Sequence, residues 1–340
     1  METEKKKMSK GTKVLLIIAC VILIIALLMV ATVVILDKLG QNSLTDDGSD
    51  IDVSDKAEVL ENGTVRYNGK LYRYNDQITT ILFMGVDEWD KPQNSVTYGK
   101  AEQADVNVMA VLDPVNSKLT LISVSRDTMC DIQVLDDAGN YLGTDFTQLA
   151  LSYSYGDGKE KSCELTSQAV SGIFHGIKIP AYGSISINGI LDLLDLVGGV
   201  TITPTESFGP FTQGQPINIQ GKLAEEYVRL REHTTEGNNQ RMQHHNQVIL
   251  ALVNKALSMA REDLFSIPEL YQGVSRNVTT NVGVSKMVYL AKIAIGLNLD
   301  SQIYKVQGES VLGEGNHAEF MVDEDALMEM IINVFYVPAE

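Results

Sequence analysis

The chain is 340 residues long and carries a formal charge of −17, with 44 acidic against 27 basic side chains. That balance, with a pI near 4.7, excludes general binding to nucleic acid, whose phosphate backbone rewards a basic surface. A hydrophobic share of 44% with only eight prolines excludes a disordered chain and leaves room for one large domain or two ordinary ones.

Residues 1–13 hold Lys5, Lys6, Lys7, Lys10 and Lys13. They precede VLLIIACVILIIALLMVATVVIL, residues 14–36, which contains no charge. That run exceeds the roughly 20 residues a helix needs to cross the hydrocarbon core. It is also longer than the apolar region of a cleaved signal peptide, about 7–15 residues. It predicts an uncleaved transmembrane helix. Lysines before it and Asp37, Asp46 and Asp47 after it predict a cytoplasmic tail and an extracellular remainder. The expected location is therefore the cytoplasmic membrane, as a single-pass protein.

Residues 37–62 are rich in Asp, Ser, Gly and Asn and predict a flexible extracellular linker. Residues 63–77 predict a β-hairpin leading into the core, because Asn68-Gly69 sits between two alternating aromatic runs. The main domain is expected over 78–263. It opens with ITTILFMGVD, an apolar run of strand length ending at Asp87. ADVNVMAVLD and KLTLISVSRD predict two more strands, joined around Pro114. DFTQLALSYSYG and SCELTSQAVSGIFHG read as helices, then AYGSISI as a strand. NGILDLLDLVGG predicts a short helix with Asn188 as N-cap and Gly198 as its stop, before a strand at VTITP. Helices follow at 221–230 and 238–263. The tail, 264–340, predicts a helix near 284–295, a strand at QIYKVQ and a helix from 323, and is expected to pack on the same domain. Alternating strands and helices predict an α/β layered sandwich with one core.

Three of the chain's eight arginines, Arg229, Arg231 and Arg241, fall within thirteen residues. Residues two apart on one helix point about 200° away from each other, so Arg229 and Arg231 share a site only if the helix ends there. The turn-like HTTEGN that follows supports that ending. Arg241 then lies in the first turn of the next helix, where backbone N–H groups favour an anion. Three guanidiniums round one turn suit a phosphate, which arginine binds in a bidentate way; surface ion pairs with neighbouring glutamates are the plainer alternative. Upstream, Asp87, Asp105 and the Ser125-Arg126-Asp127 triplet stand at strand ends. If those strands are neighbours, carboxylates and an arginine gather at one sheet edge, a set of oxygens that suits magnesium beside a phosphate. Cys130 and Cys163 lie in the extracellular part, where disulfides persist; spacing leaves open whether they pair or remain free thiols. The adjacent His244 and His245 point about 100° apart on a helix, unlike a zinc-binding pair at i and i+4.

Taken in order, ILFMGVD, ADVNVMAVLDP, KLTLISVSRDT, LLDLVGGV, AEEYVRLR and QRMQHHNQVI resemble the LytR-CpsA-Psr (LCP) family from about Ile78 to Ala260. The N-terminal anchor fits the resemblance as well. It implies a three-layer α-β-α sandwich with a central mixed sheet and an apolar channel, walled by helices near 146–155, 163–175, 188–197 and 239–257. It implies an enzyme, a phosphotransferase that moves a glycopolymer, such as teichoic acid or capsular polysaccharide, from a polyprenyl-pyrophosphate carrier to peptidoglycan. By the same resemblance Asp87 and Asp105 organise Mg2+, with Mn2+ as a substitute, and one of them serves as base. Arg126, Arg229 and Arg231 are the catalytic arginines, and Arg241, His244, Gln103 and Asp127 are substrate-binding. The chain departs from the family pattern at Gln103 and His244, where arginines are usual, at His245 in place of glutamine, and at Asn238 in place of aspartate. These departures keep a second expectation open: an anchored, non-catalytic receptor or scaffold that binds lipid-linked sugars.

Overall fold

A computed structural model describes residues 32–46, 48, 50–60, 63–86, 98–229, 237–262, 273, 275–299, 303–313 and 317–339. A helix α1 (32–44) comes first, then a small antiparallel unit of β1 (Glu58–Val59), β2 (Val65–Tyr67) and β3 (Lys70–Tyr74). Its hairpin turns at Asn68 (φ 47°) and Gly69 (φ 75°). Two consecutive positive φ values match the right-handed twist of the flanking strands, which is why Asn-Gly is favoured there.

The long strands follow: β4 (Thr79–Val86), β5 (Ala104–Asp113) and β6 (Lys118–Val124). Asp113 closes the turn between the last two by accepting the N–H groups of Val115 and Asn116, each at 3.0 Å. A ribbon of β7 (Met129–Leu135) and β8 (Tyr141–Gln148) precedes helices α2 (Ala150–Ser154) and α3 (Glu160–Ile173). Next come β9 (Ala181–Ser186), α4 (Ile187–Leu196), β10 (Val200–Ile202), β11 (Ile217–Ile219), α5 (Gly221–Arg229) and α6 (Gly237–Glu262). The tail adds β12 (Val278–Thr280), α7 (Val284–Ala294), β13 (Asn298–Leu299), β14 (Tyr304–Lys305), β15 (Gly308–Leu312), β16 (Ala318–Val322), α8 (Glu324–Phe335) and β17 (Tyr336–Pro338).

The central sheet runs β12-β9-β4-β5-β6-β13, with β14 also paired to β6. It is mixed: β4 runs antiparallel to β5 and parallel to β9, and β5 runs antiparallel to β6. Successive side chains alternate faces, so each strand feeds two cores. Leu82, Met84, Val86, Met109, Val111, Ile122 and Val124 pack with residues of α2, α3 and α8 on the first face. Ile81, Val108, Ala110, Leu112, Leu119 and Leu121 pack with residues of α6 and α7 on the second, together with Leu44 of α1. A third cluster joins α4, α5, β10 and β11 with Val248, Ala251, Leu252 and Met259 of α6. Helices on both faces of a mixed sheet give the expected three layers.

Several expectations change. Residues 37–62 were expected as a linker, yet Leu44, Val53 and Ala57 are buried. Gly40 lets α1 sit close on α7, since a Cβ there would come 2.2 Å from the Ser285 carbonyl oxygen. Three apolar anchors in a polar stretch suffice to hold it down. DFTQLALSYSYG is not one helix: it divides between β8 and the short α2. The N-cap of α4 is Ser186, whose hydroxyl accepts the Gly189 N–H at 3.2 Å, and not Asn188. Of the two alternatives left open for Cys130 and Cys163, the structure shows free thiols: both are buried and unpaired, and burial pushes each thiol up to about 12. The tail packs as an integral part of the core, with Phe335 against Phe174 at 6.2 Å and β17 completing the small sheet against β3. Most of the predicted transmembrane span, residues 14–31, lies outside the described residues. Among those described, no helix is long and apolar enough to cross a membrane.

Candidate functional site

Strand register gathers the expected site at one edge of the sheet. Val86 pairs with Ala104, so β4 ends where β5 begins. Asn107 pairs with Val124, and extending that register by two sets Asp105 opposite Arg126. β9 runs parallel to β4 and ends at the same edge, where Ser186 starts α4.

There the Arg126 guanidinium donates through one terminal nitrogen to Asp105 Oδ1 and through the other to Gln103 Oε1. Its Nε lies 3.5 Å from Asp127 Oδ1. The two hydrogen bonds use one N–H on each terminal nitrogen, while Asp127 stands within ion-pair distance of Nε. A guanidinium has five, which leaves one on each terminal nitrogen for an incoming anion. The backbone is fixed as firmly: the Ala150 N–H, at the start of α2, donates to the Arg126 carbonyl at 2.9 Å, and the Phe320 N–H to that of Asp127 at 2.8 Å. Asp105 and Asp127 are largely buried and Arg126 is about a quarter exposed, so the charges act in a medium that screens them less than water does.

Gln103, Asp105, Arg126 and Asp127 are thus brought together. Asp87 lies just past the last described residue of β4, and Arg231 also lies outside the described residues. Arg229 is the last described residue of α5, and residues 230–236 that follow it lie outside the described residues. Arg241 lies in α6, four residues after the first described residue of that helix, Gly237.

His244 goes elsewhere. It is 1% exposed and packs between Phe208 and Tyr227, with ring centroids 4.8 and 4.7 Å away. Its Nε2 lies within ion-pair distance of Glu206 Oε1, 3.1 Å, yet is not aligned for a hydrogen bond. Burial pulls its pKa below the ordinary value near 6.5, against an opposing pull from Glu206. The neutral ring therefore works as an aromatic strut for α6. Its neighbour His245 meets the Val228 carbonyl oxygen through Nε2 at 3.0 Å, which ties α6 to the end of α5.

Two residues outside the sequence-based set matter. Asn107 lies two residues inward of Asp105 on the same face and is buried, and its Oδ1 meets no hydrogen-bond partner among the described residues. An asparagine inside the apolar run 104–113 was the signal available for it. Phe83 stands on the central strand but is 42% exposed. It pairs with Val108 on one side and Gly183 on the other, and Gly85 follows on its own face. Two glycines beside it remove the side chains that would cover the sheet. Val106 and the α6 residues Ile249, Leu250 and Val253, on the same side, are only partly buried. The result, among the described residues, is an apolar trough on the second face centred on the exposed Phe83. It lies about 10 Å along the strands from the Asp105–Arg126 edge, three residues at ~3.3 Å each.

A divalent ion suits this edge chemically. Asp105, the unpartnered Asn107 Oδ1 and the following Asp87 are hard oxygen donors of the kind magnesium takes. Among the described residues no group of three or more His, Cys, Asp and Glu is placed to hold a metal ion.

Comparison with known proteins gives a consistent result. The sequence profile of the LytR_cpsA_psr family matches residues 40–333, which takes in the hairpin and the tail beyond the motifs. The chain is 27% identical over 252 residues to the polyisoprenyl-teichoic acid–peptidoglycan teichoic acid transferase TagU of Oceanobacillus iheyensis, covering 72% of each chain. It is 26% identical over 319 residues to the protein of the same name from Enterococcus faecalis, covering 91% of this chain and 90% of that one. The crystal structure of Bacillus subtilis TagV superimposes with a TM-score of 0.57 at 23% identity, over 76% of this chain and 95% of that one, a likeness of fold.

Proposed function

Because the chain belongs to the LytR-CpsA-Psr family, we propose that it is a glycopolymer transferase that moves a polymer from a polyprenyl-pyrophosphate carrier to peptidoglycan. The observation that carries this reading is the pairing of a held guanidinium with an apolar trough at one end of the sheet. A lipid-linked pyrophosphate has both halves of the matching chemistry, a doubly charged head and a long apolar tail.

In this reading the tail lies over Phe83 and the head meets the two spare N–H groups of Arg126, with Arg229, Arg231 and Arg241 arriving from the α5–α6 turn. The acceptor hydroxyl attacks the sugar-linked phosphorus. The new P–O bond forms as the P–O bond to the carrier phosphate breaks, and polyprenyl phosphate leaves. A carboxylate of the pair Asp87 and Asp105 takes the hydroxyl proton. Phosphoryl transfer asks mainly for positioning and neutralisation of charge, and the arginines supply both. Mg2+, or Mn2+ in its place, would be held by Asp87 and Asp105 and would neutralise further charge on the pyrophosphate.

Membrane anchoring belongs to the same reading. It is supported by the uncharged run 14–36 and by Val33, Val34 and Ile35, which stand exposed at the start of α1. Anchored there, the domain meets its lipid-linked donor at the outer membrane surface.

The second reading, an anchored receptor that binds lipid-linked sugars without turnover, rests on Gln103 and His244, which supply no permanent charge. A transfer assay separates the two. Full-length chain, lipid-linked donor and peptidoglycan are expected to give product that chelation by EDTA suppresses and Mg2+ or Mn2+ restores. Donor binding without product under all metal conditions would favour the receptor.

A further inference from the structure

We propose that the β7–β8 ribbon is the docking platform for the acceptor, and that the acceptor it fits is an uncharged glycan strand. The identity of the bound glycan as the acceptor rests on the transferase reading above; the platform itself rests on the ribbon.

Tyr141, Leu142 and Phe146 on β8 are 60%, 66% and 56% exposed, an unusual density of apolar surface for one strand. Register sorts its faces. Asp131 pairs with Phe146 and Gln133 with Thr144, and paired residues share a face. One side of the ribbon therefore presents Leu142, Thr144 and Phe146 in a row, with Asp131 and Gln133 across from them. Tyr141 reaches the same row, since its hydroxyl lies 2.9 Å from Thr144 Oγ1. The opposite side carries Cys130 and Ile132 into the first-face core, which holds the ribbon in place.

This surface has the composition a neutral sugar chain needs. Aromatic and aliphatic side chains meet the C–H faces of the rings, while Asp131, Gln133 and Thr144 meet hydroxyl and amide groups. It has the wrong charge for the alternatives. Residues 129–148 contain Asp131, Asp136, Asp137 and Asp145 and no lysine or arginine, so a polyphosphate chain and an anionic lipid surface are both repelled.

Its position is the second argument. β7 begins three residues after Arg126. The base of the ribbon is pinned to the site, with a Thr128–Phe320 bridge to β16 and the Gln148 side-chain amide donating to the Ala318 carbonyl at 2.5 Å. The ribbon belongs to the first face of the sheet, whereas the trough lies on the second. Displacement at phosphorus requires attacking and leaving oxygens on opposite sides. A donor tail in the trough leaves the ribbon side for the acceptor.

The test measures two ligands on the full chain in detergent: the N-acetylglucosamine hexamer and polyprenyl pyrophosphate. Tyr141→Ala and Phe146→Ala are surface changes and should fold as the parent does. Each is expected to weaken hexamer binding roughly 2- to 12-fold, the loss of one ring contact, and Phe146→Trp to retain it. Polyprenyl pyrophosphate binding should be the same in all four proteins. Hexamer affinity unchanged by both alanine variants would overturn the platform. So would a parent chain that binds the lipid but not the hexamer, which leaves the donor reading standing. A parent that binds neither removes the transferase reading as well. Dimerisation through the ribbon, lost in Phe146→Ala, would assign the surface to a second protein and also overturn the proposal.

Discussion

Arg126 is the residue on which most of the site's geometry converges, since Gln103, Asp105 and Asp127 all meet its guanidinium. Removing a preorganised donor from a charged transition state costs about 10²–10³ in kcat, so Arg126→Ala should lose that much in a transfer assay. Arg229→Ala and Arg231→Ala should each abolish transfer; full activity in either would take the α5–α6 turn out of the mechanism. His244 makes a different prediction. Burial lowers its pKa, so the folded state favours the neutral ring. The stability this confers is complete above the unfolded value near 6.5 and is lost as pH falls through it toward the lower folded value. His244→Phe keeps the aromatic packing and removes the titration. Denaturant melts at pH 7 and pH 5 should show a smaller acid loss in the variant than in the parent. An equal loss in both would mean that the imidazole does not titrate in this range.

At the scale of elements, the sequence patterns that span a whole strand or helix were legible. The uninterrupted apolar run of β4, the Asn68-Gly69 turn and the tail helix expected from 323 all appear where periodicity and turn chemistry put them. The β7–β8 ribbon was missed because half of it is solvent-facing on both sides and its tail, DFTQLALSYSYG, has helix-like apolar spacing. The resemblance makes His244 a substrate contact; Phe208 and Glu206, which stand beside it instead, lie more than thirty residues away in the chain, and no local pattern announces them. Phe83 looked like ordinary core for the same reason, since what exposes it is Gly183 on another strand. The tail is an element-scale prediction in itself. Phe335 is fully buried against Phe174, and a Phe→Ala change in a packed core costs about 3–5 kcal/mol. Phe335→Ala should lower unfolding free energy by that amount. A change below 1 kcal/mol would show the tail to be an appendage.

The whole molecule presents an arginine site and an apolar trough at one sheet edge, with the exposed apolar start of α1 leading back to the run 14–36. If that run is the anchor, protease added outside intact cells should cleave residues beyond 37 and leave residues 1–13 untouched; the reverse pattern would invert the topology. The central claim is that trough and arginines together hold one lipid-linked pyrophosphate. Its most direct test is to purify the full chain from membranes, extract it with organic solvent and look for polyprenyl phosphates by mass spectrometry, with Phe83→Arg and Arg229→Ala alongside. The account predicts polyprenyl pyrophosphate in the parent and its depletion in both variants. A folded parent that carries no such lipid, and takes up none when polyprenyl pyrophosphate is supplied, would contradict it.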